Sequence, residues 1–286
     1  MTGEMRRKIL GILAVCLLCG MLSGYAAIDS RSTAESGTYQ KLPVYVDGTL
    51  EYMGYVAEGT VYVPLRSFCR ALQLGAVVTL DSATETMYVT LNHGGQTHNL
   101  TARAGDFYLY VNDRIVYLGS DILSNRGNVL VPVQGVCRAF GIACEAGSVD
   151  LQIHTDELNV CPAGSEVYDE EDLKWLSHII NAEAGNQSLE GQICVGNVVL
   201  NRVAHEGFPD TVRDVVFSPN QFCPVKSGTI YCTPDADAVA AAKLCLEGVN
   251  LAGESTYFVN PTTGSTVWFK KNLTYLMSVG EHDFYY

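Results

Sequence analysis

The sequence has 286 residues, 48% of them hydrophobic and 17% charged, with a formal net charge of −13. That much apolar material packs cores and excludes a disordered chain. The acidic balance, with no basic stripe, excludes nucleic acid as a partner; nor does bulk charge draw the chain to anionic polymers, so any binding to them must come from a shaped site.

In chain order, Arg6, Arg7 and Lys8 precede an apolar run from Ile9 to Leu22, and Ser23 to Ala27 supplies small residues. Basic, apolar and small-residue regions in that order predict a secretory signal peptide over residues 1–27, and hence an exported protein. The alternative, an uncleaved anchor, is disfavoured because the run is short for the roughly 20 residues of a span. Cleavage removes three basic residues and one acid, taking the charge from −13 to −15. Eight cysteines remain, an even number that allows disulfides in an exported chain, with Cys223 and Cys232 able to close a small loop. Free, buried cysteines are the preferred reading, because Cys69, Cys137, Cys194 and Cys245 lie on apolar faces. The chain after residue 27 has no C-x-x-C and no H-E-x-x-H, so neither a structural zinc site nor a cofactor is expected.

Residues 28–41, rich in Ser, Thr, Ala and Gly, read as a flexible leader. Residues 42–155 alternate in short strands broken by Gly and Asn-Asp turns, as in Met87 to Leu91 and Phe107 to Val111. This half holds an internal repeat: the run from Val61 to Leu72 realigns with Val129 to Phe140 at an offset of 68 residues. In each copy a strand ends at Val-Pro, and the proline opens a helix at its first turn. Phe68, Cys69 and Leu72 in one copy, and Val136, Cys137 and Phe140 in the other, line one helix face. Two copies sharing one core is the physical reading, an α+β repeat domain rich in strands. His93, His98 and His154 have no ligand-like spacing. The Val-Pro-Leu-Arg and Val-Pro-Val-Gln cores resemble the N-terminal-like domain of copper amine oxidases. That resemblance implies a binding or spacing module, with a wall or protein partner.

Residues 156–168, with Pro162, Gly164 and Ser165, read as a polar linker. From residue 169 the pattern is helical. Leu173, Leu176, Ile179 and Ile180 follow a 3.6-residue period behind the acids Asp169 to Asp172, and Gly185-Asn186 is a stop. Ser188 caps a second helix through Val203, a third spans Thr211 to Phe217, and a fourth Pro234 to Glu247. Thr256 to Tyr286 reads as strands and loops with many aromatics.

The most informative stretch is Ile179-Ile-Asn-Ala-Glu-Ala-Gly185, followed by Glu190-Gly-Gln192 and Val198-Val-Leu-Asn-Arg-Val203. Phe208-Pro209, Val215-Val216, Gln221-Phe222, Tyr257 to Pro261, Trp268 and Gly280 to Phe284 come next in order. Together, over about residues 172–286, these motifs resemble the spore cortex-lytic enzyme family, the SleB- and CwlJ-type cell wall hydrolases. The resemblance implies a mainly helical domain like those of lysozymes and lytic transglycosylases. It implies cleavage of peptidoglycan between N-acetylmuramic acid and N-acetylglucosamine, in the spore cortex at germination or in wall turnover. Glu183 is then the catalytic acid and base.

The residues agree. Glu183 ends an apolar helix, where the negative helix terminus and neighbours such as Ile179 and Ile180 disfavour its charged form, as a glycosidic acid requires. Many family members read A-E-A-R-G-E, whereas this chain reads Ala182-Glu-Ala-Gly-Asn-Gln187. Gln187 thus stands where a second glutamate would be, which weakens two-carboxylate hydrolysis and suits lytic transglycosylation. Glu190 is the remaining nearby acid and reads as structural, with a catalytic part as the alternative. Gln221, Phe222, Tyr231, Tyr257, Asn260 and Trp268 suit a sugar groove, since aromatic faces pack on pyranose rings and amides bond hydroxyls. For each aromatic, core packing is the competing role. Asn201 and Arg202 are expected to brace their helix, and His282 to sit in the core. Two rival readings are a non-catalytic wall-binding protein with a degenerate hydrolase half, and a peptidase using Cys194 or Cys223 with His282.

Overall fold

The computed structural model describes residues 39–286. The signal peptide read over residues 1–27, and most of the leader, lie outside the described residues. The leader ends earlier than residue 41, because the first strand already starts at Gln40. The described chain divides into two compact units, meeting between Val167 and Tyr168.

The first unit is built from two sheets and two short helices. Seven strands form one sheet in the order β11 (Ala143–Ala146), β12 (Leu151–His154), β1 (Gln40–Val46), β2 (Thr49–Ala57), β3 (Thr60–Pro64), β10 (Asn128–Pro132) and β9 (Leu123–Asn125). Five consecutive strands, β4 (Val77–Asp81), β5 (Thr86–His93), β6 (Gln96–Arg103), β7 (Tyr108–Val111) and β8 (Arg114–Tyr117), form the other. The internal repeat is visible at the centre of the first sheet. Its two strands β3 and β10 pair antiparallel with Val63 opposite Val131, and each runs into a seven-residue helix, α1 (Leu65–Ala71) and α2 (Val133–Ala139). Pro64 and Pro132 sit at the cap rather than in the first turn, so the proline ends the strand as well as admitting the helix. Phe68 and Phe140 meet edge to face across the shared core, with ring centres 5.4 Å apart.

Residues 156–168 are not a free linker. Leu158, Val160 and Cys161 pack on the first unit's core. The Asn159 and Cys161 amides donate to the carbonyls of Phe140 and Ala139, and Gly164 N–H donates to Asn112. One turn of helix, α3 (Gly164–Val167), follows. The stretch is polar in composition, but its alternating apolar side chains find a core edge and its backbone finds partners. Cys69, Cys137, Cys144, Cys194, Cys223, Cys232 and Cys245 are free thiols, and Cys223 and Cys232 are both exposed.

The second unit is mainly helical. α4 (Glu170–Ala184) is capped by Asp169, whose side chain accepts from the Glu171 and Asp172 amides, and α5 (Leu189–Ala204) is capped by Ser188. α6 (Val212–Phe217) and α8 (Ala236–Leu246) take Thr211 and Asp235 as caps. Between them lie α7 (Cys223–Ser227) and a 3-10 turn (Thr229–Tyr231). β13 (Tyr257–Val259), α9 (Val267–Asn272), β14 (Tyr275–Val279) and β15 (His282–Tyr285) follow, with β15 central in a three-stranded sheet. The segment from Thr256 was expected to hold only strands and loops; α9 is the addition. α5 is the axis of the unit, buried almost all round. A side chain at Gly196 would come within 2.8 Å of Cys245 Sγ and Ile180 Cδ1, so its absence lets α4 and α8 close on α5. The sheet packs on the same helices through Phe284, Met277 and Val279 against Ala184, Val195 and Val198, at the end of α4 that carries Glu183. No described helix is long and apolar enough to cross a membrane.

Candidate active site

Glu183 sits in the last turn of α4 as a half-buried carboxyl. Burial pushes its pKa up to about 7, against the opposing field of Arg202. The carboxyl can therefore be protonated near neutral pH, as an acid catalyst must be.

Arg202, in the last turn of α5, is 4% exposed. Its Nε donates to Thr256 O at 2.7 Å and its Nη1 to Gln221 Oε1 at 3.2 Å. Phe208, Phe222 and Tyr257 surround the guanidinium at 5.1, 5.1 and 5.3 Å. Burial lowers its pKa to about 10. Asn201 does brace the helix, donating to the carbonyls of Gly253 and Ser255 at 2.8 Å.

The residues proposed for a sugar groove divide. Gln221 is exposed and held by Arg202. Phe222 is buried and packs on Phe258 and Arg202, so it is a wall of the site and not an open face. Tyr257 is half-buried and lies between Phe208 and Trp268, at 6.0 and 6.1 Å, and Trp268 is 53% exposed on α9. Tyr231 is exposed in a separate aromatic group, edge-on to Trp175, which packs on Phe217. The Asn260 amide is already used: its oxygen accepts from Thr262 and its nitrogen donates to Glu281 Oε2 at 3.2 Å.

Gln187 is a clasp. Its Oε1 accepts from the Glu281 backbone amide at 3.0 Å, and its backbone carbonyl accepts from Gln192 Nε2. It joins the α4–α5 corner to the β14–β15 turn. The same turn brings the Glu281 backbone to this corner, a contact that sequence spacing could not foresee, while the Glu281 carboxylate accepts from Asn260. Glu190 is exposed in the first turn of α5, where acids support a helix. His282 is in the core as expected, edge-on to Phe258 at 5.3 Å, with Nδ1 lacking a hydrogen-bond partner among the described residues. Cys194 is fully buried with its thiol pushed up to about 12, the state of an inert cysteine and not of a peptidase nucleophile. Among the described residues no group of three His, Cys, Asp or Glu side chains is placed to hold a metal.

This arrangement, a half-buried carboxyl at a helix end beside a caged arginine and an aromatic shelf, lies within a stretch that matches a family. Residues 186–285 match the model of the cell wall hydrolases. Residues 45–153 match the copper amine oxidase N-terminal domain. Among curated proteins the chain is 34% identical over 134 residues to a spore cortex-lytic enzyme of Halalkalibacterium halodurans, covering 45% of this chain and 39% of that one. It is 32% identical over 117 residues to the spore cortex-lytic enzyme of Bacillus cereus, covering 41% and 45%. The chain thus spans less than half the length of these relatives. A solved structure, the catalytic domain of the germination-specific lytic transglycosylase SleB from Bacillus anthracis, is 31% identical; the match covers 44% of this chain and 100% of that one, with a TM-score of 0.40.

Proposed function

We propose that this chain cleaves peptidoglycan glycan strands between N-acetylmuramic acid and N-acetylglucosamine as a lytic transglycosylase, with Glu183 as acid and then base. The observation that carries the reading is the half-buried Glu183 carboxyl, whose pKa burial pushes up to about 7 against the field of Arg202, an arginine that Gln221, Phe222 and Tyr257 surround. Glu183 gives its proton to the glycosidic oxygen as the bond from muramic C1 to that oxygen breaks. The muramic 6-hydroxyl oxygen then bonds C1, and its proton returns to Glu183. That nucleophile is part of the substrate and arrives with it, so no second carboxylate is needed. The family match over residues 186–285 and the names of the chain's relatives support peptidoglycan of the spore cortex as the substrate, with the vegetative wall as the alternative. Action outside the cytoplasm, by an exported chain, goes with that substrate. The first unit is then a module for a wall or protein partner.

Hydrolysis with a second carboxylate is the alternative, with Glu190 as one candidate and Glu281, whose backbone meets Gln187 and whose carboxylate accepts from Asn260, as the other. One experiment separates the readings. Purified cortex and vegetative wall are digested in heavy-oxygen water, and the released fragments are weighed by mass spectrometry. Unlabelled 1,6-anhydromuramic ends are expected. Label at new muramic ends would instead assign hydrolysis, and Glu281→Gln and Glu190→Gln would say which acid serves. Glu183→Gln keeps the shape of the side chain but not its proton, and should lose cleavage by at least about 10²-fold. A folded Glu183→Gln variant with full activity would remove Glu183 from the mechanism, and a wild-type chain that binds wall without cutting it would leave a binding protein.

A further inference from the structure

We propose that Arg202 is a positioning residue of this site: it fixes the Gln221 amide and the Tyr257 ring in place from α5, and its charge supports the carboxylate that Glu183 becomes on giving up its proton. The inference rests on the cleavage reading above and adds a role that the sequence did not suggest, where Arg202 read as a helix brace.

The bonding of Arg202 argues for more than bracing. A guanidinium is costly to bury, and buried ones are usually paired with a carboxylate. Among the described residues Arg202 forms no such ion pair, and its partners there are a carbonyl, an amide oxygen and three rings. Those partners belong to two segments. Gln221 and Phe222 come from the turn between α6 and α7, and Thr256 and Tyr257 from the entry to β13. One side chain therefore ties both segments to α5. Lysine could not do this, because it has neither the planar fork that bonds in two directions nor the flat faces that stack on rings.

The charge has its own use. Several titratable groups sit on elements packed near α4: Glu190 on α5, Arg213 and Asp214 on α6, Lys226 on α7, Asp237 and Lys243 on α8, Tyr257 on β13 and His282 on β15. Besides burial, the field of Arg202 acts on Glu183 and favours its charged form. When Glu183 passes its proton to the leaving oxygen, a negative charge appears in a place already short of water. A fixed positive charge lowers the cost of that state more than that of the neutral acid, which is selective support for the reacting state.

The test uses the full chain acting on soluble peptidoglycan fragments, with kcat, KM, pH profile and thermal melt measured for each variant. Arg202→Lys keeps the charge and loses the fork. KM is expected to rise by about tenfold while the alkaline limb of the pH profile stays in place. Arg202→Met loses both. KM should rise, kcat should fall on the order of 10²-fold, and the alkaline limb should move up by about one pH unit, because Glu183 then holds its proton more tightly. A folded Arg202→Met with wild-type kcat and an unmoved limb would reduce Arg202 to a brace and overturn the proposal. If that variant does not fold, Arg202→Lys and Gln221→Leu decide: both should raise KM, and wild-type KM in both would overturn it. Glu183→Gln keeps the two ideas apart. If it still cleaves, the cleavage reading fails; if it is inactive while the Arg202 variants behave as wild type, only the role of Arg202 fails.

Discussion

The two units solve the problem of burial differently. The first buries almost only apolar side chains: Thr86 and His98 are its buried polar residues among those described, and Phe68, Phe140, Leu65, Leu130 and Val131 fill one continuous core. The second buries Ser177, Gln192, Asn197, Arg202, Lys243, Ser255, Thr256 and His282, and half-buries Glu183 beside them. Eight against two is too large a contrast to follow from size alone, and each buried polar group needs a partner or carries a cost. A unit that only holds a shape has no reason to keep such groups, whereas a unit that does chemistry keeps them where the reaction needs them. The contrast fits the proposed division, with the chemistry in the second unit.

The sharpest way to break this division is in the first core. Phe140→Ala leaves a cavity where the ring met Phe68, and should cost about 3–5 kcal/mol of the first unit's stability, read as a lower denaturant midpoint. Cleavage of soluble fragments should not change, and residues 165–286 alone should fold and cleave. A parallel loss of cleavage in Phe140→Ala would show that the two units are not separable in this way.

The second test uses the pH dependence of the other unit. Glu183 binds its proton more tightly when folded, up to about pH 7, so it weakens the fold once it is ionised. Its contribution is absent at low pH. The destabilisation develops as pH rises from the ordinary carboxylate range to about 7, and is complete above that. Asp172, raised to about 6 by burial and by Asp169 and Glu171, acts in the same direction. Glu183→Gln should then match the wild type near pH 4 and be more stable at pH 8, by at most on the order of 3 kcal/mol. Equal melting temperatures for the two at pH 8 would mean that the site does not bear this cost.

The smallest effect concerns the clasp. Gly280 has φ of +55°, and a side chain there would lie 2.5 Å from Gln187 Oε1. Gly280→Ala should cost about 1–2 kcal/mol from the backbone alone and loosen the Gln187 bond to Glu281. A variant as stable as the wild type would show that the turn can shift without harm.

What the sequence carried was periodicity and caps. The four main helices of the second unit begin at Asp169, Ser188, Thr211 and Asp235 because those side chains accept from amides that the helix leaves free, a local rule that spacing can read. The repeat was legible for a similar reason, since the same short pattern occurs twice. α9 was missed because Val267 to Asn272 buries no side chain and so has no apolar face to give it away. The residues from Leu158 to Cys161 were misread because their partners, Phe140 and Ala139, are chosen by tertiary packing. In the site, Glu183 could be found from a motif, and its raised proton affinity was expected. Of the expected causes, burial among apolar neighbours is the largest, with Arg202 opposing it. Arg202's cage and Glu281's approach depend on residues 54 and 94 positions away in sequence, beyond any local pattern.

That last separation also bears on how activity arises during folding. Helices α4 and α5 depend on near neighbours and form early, whereas the bond from Glu281 to Gln187 closes a loop of 94 positions and waits on long-range search. Residues around Glu183 can thus be helical well before the β14–β15 turn arrives to complete the corner beside them. In a refolding experiment the circular-dichroism signal of the helices should return first and bond cleavage should lag behind it.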